Sequence, residues 1–330
     1  MSMKTNTRGM NPRTAAPAAV GGGGELFEGE RRAHGAAGAD KVRRHLLGRP
    51  SVYRCGIAVV DKVPLRLMYF VAERVAELSC LFYAGARRNV RRNLHAALAE
   101  TGRRAGPRLV LSTFRNYARY LVDFGRLASA GKAAVLGELQ SIEGTEHIER
   151  AMADGRGIIM LTAHLGNWEL GGLFFATGDL PVNVLTKRDG LEEVDRIRDS
   201  YRRRFNINTI VLGDSPFAAL DVMGALRRGE IVAMLVDRSA PEGVEVEFLG
   251  RRFVFPTGPI RLARRTGAPL MPGFVVREGE GYRAVAESPI HLTPDGPDDA
   301  AAARAILRVF ERYIRRYPDQ WYNFVPFDAP

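Results

Sequence analysis

The chain has little cysteine, no long uninterrupted apolar run, and none of the short signatures that mark the commoner hydrolase and metal-binding folds. Its 330 residues include two cysteines, Cys55 and Cys80, and no CxxC pair. That is too few for a disulfide framework; both stand in an apolar N-terminal region as packing residues, and a reducing compartment is expected. No stretch of about 20 apolar residues free of charge occurs, so an ordinary transmembrane helix is not expected. Residues 1–24 lack the apolar segment of a secretory signal. GxSxG is absent, which argues against the nucleophile elbow of an α/β-hydrolase. His34, His45, His95, His147 and His291 fall in no HxxxH or HExxH spacing, so no metal site is expected. The tract Gly21-Gly22-Gly23-Gly24 leads to no Gly-Lys-Ser/Thr and reads as linker, not as a phosphate loop.

What is present is a globular composition, 46% hydrophobic and 26% charged, enough for one large domain with appendages or two small ones. The balance of 48 Lys and Arg against 37 Asp and Glu leaves a net charge of +11. Such a surface suits an acidic partner: nucleic acid, anionic lipid or an acidic carrier protein.

Three regions follow from the pattern. Residues 1–45 are rich in Gly, Ala, Pro and Arg and carry too little apolar surface to fold alone, so a disordered basic extension is expected. Residues 46–135 read as helical. From Pro64 to Tyr83 the apolar residues recur at helical spacing, interrupted by Glu73, Arg74 and Glu77, and Arg87, Arg88, Arg91 and Arg92 follow. The helix suits either packing on the rest of the chain or lying in a bilayer interface. The four arginines favour the interface, where they would meet anionic headgroups. A further helix with an aromatic stripe is expected over Leu109–Leu127. From residue 136 to 330 the texture changes. Apolar runs at 158–161, 182–185, 231–236 and 270–276 alternate with helical segments near 168–176, 190–204, 216–227 and 258–266. That alternation predicts an α/β domain with a largely parallel sheet flanked by helices. A hairpin is expected between 243 and 256, a last helix at 298–316, and an aromatic tail, Trp321-Tyr322-Asn323-Phe324, that packs down.

The stretch with most chemistry is Thr162-Ala163-His164-Leu165-Gly166-Asn167-Trp168-Glu169. It places a histidine at the C-terminal end of an expected buried strand, where open α/β sheets put their functional groups. Glu169, five residues on, is positioned across the turn to hold one imidazole nitrogen while the other takes a proton. Two cations, Lys187 and Arg188, end the next strand, and Asp237-Arg238 ends a later one. Asp237 either orients a substrate or caps a turn. Thr257 is placed to cap the helix that Pro259 begins.

The block around His164 resembles the HxxxxE block of the lipid A biosynthesis (late lauroyl/myristoyl) acyltransferases. So do Val236-Asp237-Arg238 with the Phe248-Leu249-Gly250 hairpin, Thr257-Gly258-Pro259 with Gly267-Ala268-Pro269, and the Asn93-Leu94 element; the likeness spans roughly residues 55–327. The family's Asp-Gln and Phe-Phe-Gly are here Asp237-Arg238 and Phe248-Leu249-Gly250. The resemblance implies transfer of an acyl chain from acyl carrier protein or acyl-CoA, as co-substrate and without a bound cofactor, to a hydroxyl of a membrane lipid such as a lipid A precursor. It implies His164 and Glu169 as the catalytic pair, with Lys187 or Arg188 on the oxyanion and Asn167 and Asp237 beside the substrate. It also implies a place on the cytoplasmic face of a bacterial inner membrane, peripheral or N-terminally anchored. Two alternatives stand beside it. A glycerophospholipid acyltransferase would carry Pro-Glu-Gly-Thr, which Pro241-Glu242-Gly243-Val244 breaks. A nucleic-acid-binding protein would interleave its basic residues with exposed aromatics, whereas the arginines here cluster beside apolar helices, and no nucleic acid partner is expected.

Overall fold

The computed structural model describes residues 63–129, 131–178, 180–187, 192–212 and 217–329. The expected extension at 1–45 and Cys55 lie outside them. In chain order the elements are α1 (Leu65–Phe82), α2 (Ala84–Leu98), α3 (Pro107–Ser129), α4 (Lys132–Gly137), β1 (Leu139–Glu143), α5 (Thr145–Ala153), β2 (Ile158–Thr162), α6 (Trp168–Thr177), β3 (Val182–Lys187) and α7 (Glu192–Arg204). Then come β4 (Ile207–Leu212), α8 (Ala218–Arg227), β5 (Ile231–Leu235), β6 (Val244–Phe248), β7 (Arg251–Phe255), α9 (Gly258–Thr266), β8 (Leu270–Glu278), β9 (Gly281–Ala286) and α10 (Asp299–Arg316).

The described residues form a seven-stranded sheet in the order β1-β9-β8-β2-β5-β3-β4, plus the β6-β7 hairpin. All its pairings are parallel except β8 with β9. The fold class is α/β, with helices covering the sheet. β2 sits centrally, all but its last residue buried, which is why its sequence is an unbroken apolar run and not an alternating one. The sheet is wider than the four strands that stand out in the sequence. β1, β4 and β9 carry polar residues at or near the sheet edges, so they show neither a long apolar run nor clean alternation.

Helices α1 to α3 form a layer with its own core, in which Ala76, Val90, Leu94, Leu98, Val110 and Phe114 are buried. The carboxylates of α1 that interrupt its apolar pattern are turned inward: Glu73 pairs with Arg119 and Glu77 with Arg115, both on α3. The opposite face stays bare, with Leu67, Phe70, Val71, Leu78, Leu81 and Phe82 between 50% and 74% exposed. Among the described residues no helix is long and apolar enough to cross a membrane.

The same layer distinguishes the four arginines. The Arg87 guanidinium donates to the carbonyls of Cys80 (2.6 Å) and Leu81 (2.8 Å), closing the C-terminal end of α1. Arg92 pairs with Asp328 at 2.5 Å. Arg88 and Arg91 remain exposed. Cys80 is buried, as a packing residue should be.

Candidate active site

Parallel register builds the site. Thr162 of β2 pairs with Leu235 of β5, and the Val236 N–H continues the ladder to the Thr162 carbonyl at 3.1 Å. Two residues beyond that pair, along each strand's continuation, stand His164 and Asp237. The His164 Nδ1 lies 2.7 Å from Asp237 Oδ1, and the His164 backbone N–H donates to Oδ2 at 3.0 Å. Asp237 is fully buried, and the His164 side chain is 23% exposed.

The turn that carries His164 is held from two sides. Gly166 adopts φ +63°, and a Cβ there would meet the Val275 carbonyl oxygen at 2.0 Å, so only glycine fits. Its N–H donates to the Gln320 carbonyl (3.0 Å), and the Asn167 N–H donates to Val275 O (2.7 Å). The Tyr322 N–H donates to the His164 carbonyl at 2.7 Å. Asn167 is the N-cap of α6, its Oδ1 accepting from the Leu170 N–H at 3.0 Å.

The carboxylate on the imidazole is thus Asp237 and not Glu169. Capping by Asn167 starts α6 at Trp168, and the first helical turn directs Glu169 toward α7, where it accepts from Arg202 at 2.9 Å. Both side chains of that ion pair are nearly buried, at 6% and 7% exposed. Burial first and the Glu169 charge second push the neighbouring Tyr201 phenol well above its ordinary value. Glu169→Gln should leave the Arg202 guanidinium buried without a counter-charge, a loss of about 3 kcal/mol. The expected result is a clear fall in thermal stability that Glu169→Gln/Arg202→Met recovers; equal melting of parent and single variant would refute it.

Full burial pushes the Asp237 carboxyl up. The His164 charge and hydrogen bond, the Arg238 charge and the Trp321 N–H outweigh it and hold the group down at about 2. Asp237 is therefore ionised across the neutral range, and an ionised carboxylate offers the ring only an acceptor. Nδ1 then carries the proton, and proton uptake from a substrate falls to Nε2.

Beside the histidine lies a narrow apolar cavity between α6 and the sheet, with about 610 Å³ of empty space including its open mouth. Met160, Gly172, Phe175, Ala233 and Val275 are among its lining residues, and so is Trp168, whose ring stands edge-on to His164 at 5.5 Å. A wider polar groove along β4 and α8 shares no lining residue with the His164 site.

Of the other expected site residues, Lys187 ends β3, and Arg188 lies outside the described residues. Thr257 occupies the N-cap position of α9 but makes no side-chain cap, and Pro259 stands in the first turn of the helix. Sequence reasoning missed Arg202, which stands in an Arg-rich helix that reads as a solvated face. It also missed Trp321 and Asn323, which both reach Asp237. Among the described residues no three His, Cys, Asp or Glu side chains gather as a metal site.

The sequence profile described as bacterial lipid A biosynthesis acyltransferase matches residues 40–326. The chain belongs to that family. Among curated relatives, phosphatidylinositol mannoside acyltransferase of Mycobacterium tuberculosis is 26% identical over 279 residues, covering 83% of this chain and 86% of that one. The enzyme of the same name from Mycolicibacterium smegmatis is 28% identical over 273 residues, covering 79% and 88%. The lipid A biosynthesis lauroyltransferase of Escherichia coli is 25% identical over 269 residues, covering 80% and 85%. The family supplies the reaction class, acyl transfer, and the His164 turn lies within the matched span.

Proposed function

We propose that this acyltransferase moves a fatty acyl chain from a thioester, carried by acyl carrier protein or coenzyme A, to a hydroxyl of a glycolipid at a membrane surface. The observation that carries the reading is the His164–Asp237 pair, set beside Trp168, which lines the apolar cavity. Nε2 of His164 takes the proton of the acceptor hydroxyl as its oxygen attacks the thioester carbonyl. The tetrahedral oxyanion is met by a cation from the C-terminal end of β3, Lys187 or Arg188. Collapse breaks the C–S bond, and the imidazolium returns its proton to the leaving thiolate, so the histidine ends as it began.

A glycolipid acceptor is favoured because the relatives act, by name, on phosphatidylinositol mannoside and on lipid A. The surplus of positive charge suits both an acidic carrier and an anionic bilayer. The bare face of α1 provides apolar area for an interfacial, peripheral attachment.

The acyl chain would lie in the cavity between α6 and the sheet, whose lining is almost wholly apolar. Ala233→Leu, which puts a side chain into that space, should shift preference to chains shorter by about two to four carbons; each lost methylene contact is worth about 0.8 kcal/mol. Competition between acyl thioesters of graded length, read by mass spectrometry of the product lipid, tests this. An unchanged chain-length profile would move the acyl site elsewhere. The reading as a whole is tested by incubating the full chain with lipid extract and either acyl thioester and looking for acylated glycolipid. Product with neither donor, or equal product from His164→Ala, refutes it.

A further inference from the structure

The Asp237 carboxylate accepts four hydrogen bonds, and two of their donors come from the C-terminal segment, more than 80 residues away. Trp321 Nε1 donates to Oδ2 at 2.8 Å and Asn323 Nδ2 to the same oxygen at 3.0 Å, alongside the His164 N–H. Three donors thus fix Oδ2, which leaves Oδ1 directed at the imidazole. The Asn323 amide cannot turn over, because its Oδ1 accepts from Arg238 Nε at 2.7 Å. Trp321 and Asn323 are both buried, at 2% and 1% exposed.

The segment is fastened in turn from α2. Asn93 is buried at 2%, and its Nδ2 donates to the carbonyls of Asn323 (2.9 Å) and Val325 (2.8 Å), while its own Oδ1 has no partner among the described residues. The residue is used for donation alone. Asn89, one turn earlier, donates to the Phe324 carbonyl at 3.0 Å. A buried amide with an unsatisfied oxygen is costly, and its two donor contacts on one strand of chain are what offset it.

We infer that the C-terminal segment, locked by Asn93 of the helical layer, is a positioning element of the catalytic centre, with Trp321 and Asn323 acting on His164 through Asp237. The inference rests on His164 as the base. It makes the helical layer part of the active-site scaffold as well as a candidate membrane attachment.

The charged groups facing Asp237 are His164 and Arg238. Removing a neutral donor from Oδ2 concentrates the carboxylate charge on the remaining partners, so the imidazolium is held more firmly and His164 should titrate higher. The experiment follows the His164 ring by NMR in the histidine-labelled full chain, with its resonance identified by loss in His164→Ala. Asn323→Ala and Trp321→Phe, the latter keeping an aromatic ring and removing the N–H, should each raise the His164 midpoint by on the order of half a pH unit. Asn93→Ala should move it in the same direction by less. In turnover, all three should lower kcat, by about 10-fold for the first two, with KM within twofold, because the acyl and acceptor contacts are untouched. An imidazole midpoint unmoved in both Asn323→Ala and Trp321→Phe overturns the inference, whatever their melting temperatures. Absence of any acyl transfer by the parent would refute the proposed function instead, and the titration would still decide this point.

Discussion

Asp237→Asn should abolish most acyl transfer while keeping the shape of the site. The amide has one oxygen where the carboxylate has two. Three backbone and side-chain donors already converge on Oδ2, so the oxygen stays with them and the new NH₂ faces His164 Nδ1. Nδ1 must then accept, which moves the ring proton to Nε2, the nitrogen required as base. The imidazole is intact but in the wrong tautomer, and the negative charge that stabilises the imidazolium is gone as well. The expected loss in kcat is about 10²–10⁴-fold, comparable to His164→Ala, with KM little changed. Because the two residues act as one unit, the double variant should be no worse than either single one. Losses that multiply would mean that Asp237 serves the reaction by a route other than the ring. The parent should keep a constant Asp237 charge down to acidic pH, since its carboxyl is held near 2. Its folded pKa is depressed, so its contribution to stability is present above the ordinary carboxylate value and is lost as pH falls toward 2.

How much of this could be read from the sequence depends on whether the deciding contact is local. The strand-turn-helix around His164 is legible because β2 is buried on both faces and Gly166-Asn167 is turn chemistry. The partner of the histidine is not legible. Glu169 is close along the chain, but a helix beginning at Trp168 sends its first-turn side chains where the helix axis dictates, and here that is toward Arg202. Asp237 is 73 residues away and reaches the ring only because β2 and β5 pair in register. The sequence marks it as a strand-end aspartate and leaves its role open. Trp321 and Asn323 read as an aromatic tail that packs down. That is correct about burial and silent about the polar atoms, which find Asp237 only once the segment is laid against the His164 turn. Arg87 and Arg92 look the same as Arg88 and Arg91 in a run of like charges, and only folding shows that the first two are spent on a carbonyl pair and on Asp328.

That division among the arginines sharpens the expected behaviour at membranes. The outward face of α1 exposes Phe70 and Phe82 at 58% and 74%, with Leu78 and Leu81 between them. Its carboxylates point inward to Arg115 and Arg119, so no acidic side chain on that helix must be stripped of a partner for the apolar face to enter an interface. A half-exposed phenylalanine offers about 1–2 kcal/mol on burial. Phe70→Asp with Phe82→Asp should therefore weaken vesicle binding by at least about 10²-fold, and at all salt concentrations, because the lost contact is apolar. Arg88→Gln with Arg91→Gln should act differently. Each cation near an anionic surface is worth about 1 kcal/mol and is screened by salt, so binding should fall mainly at low ionic strength and its salt dependence should flatten. Arg87→Gln with Arg92→Gln should leave the binding curve largely in place and lower thermal stability instead, since both guanidinium groups are engaged within the fold. The comparison is co-sedimentation of the four proteins with anionic and with zwitterionic vesicles across a salt series. If the doubly substituted phenylalanine variant pellets with the parent, the bare face of α1 is not the membrane contact. If the Arg87/Arg92 pair proves as sensitive to lipid charge as Arg88/Arg91, all four side chains must reach the headgroups when the protein is bound.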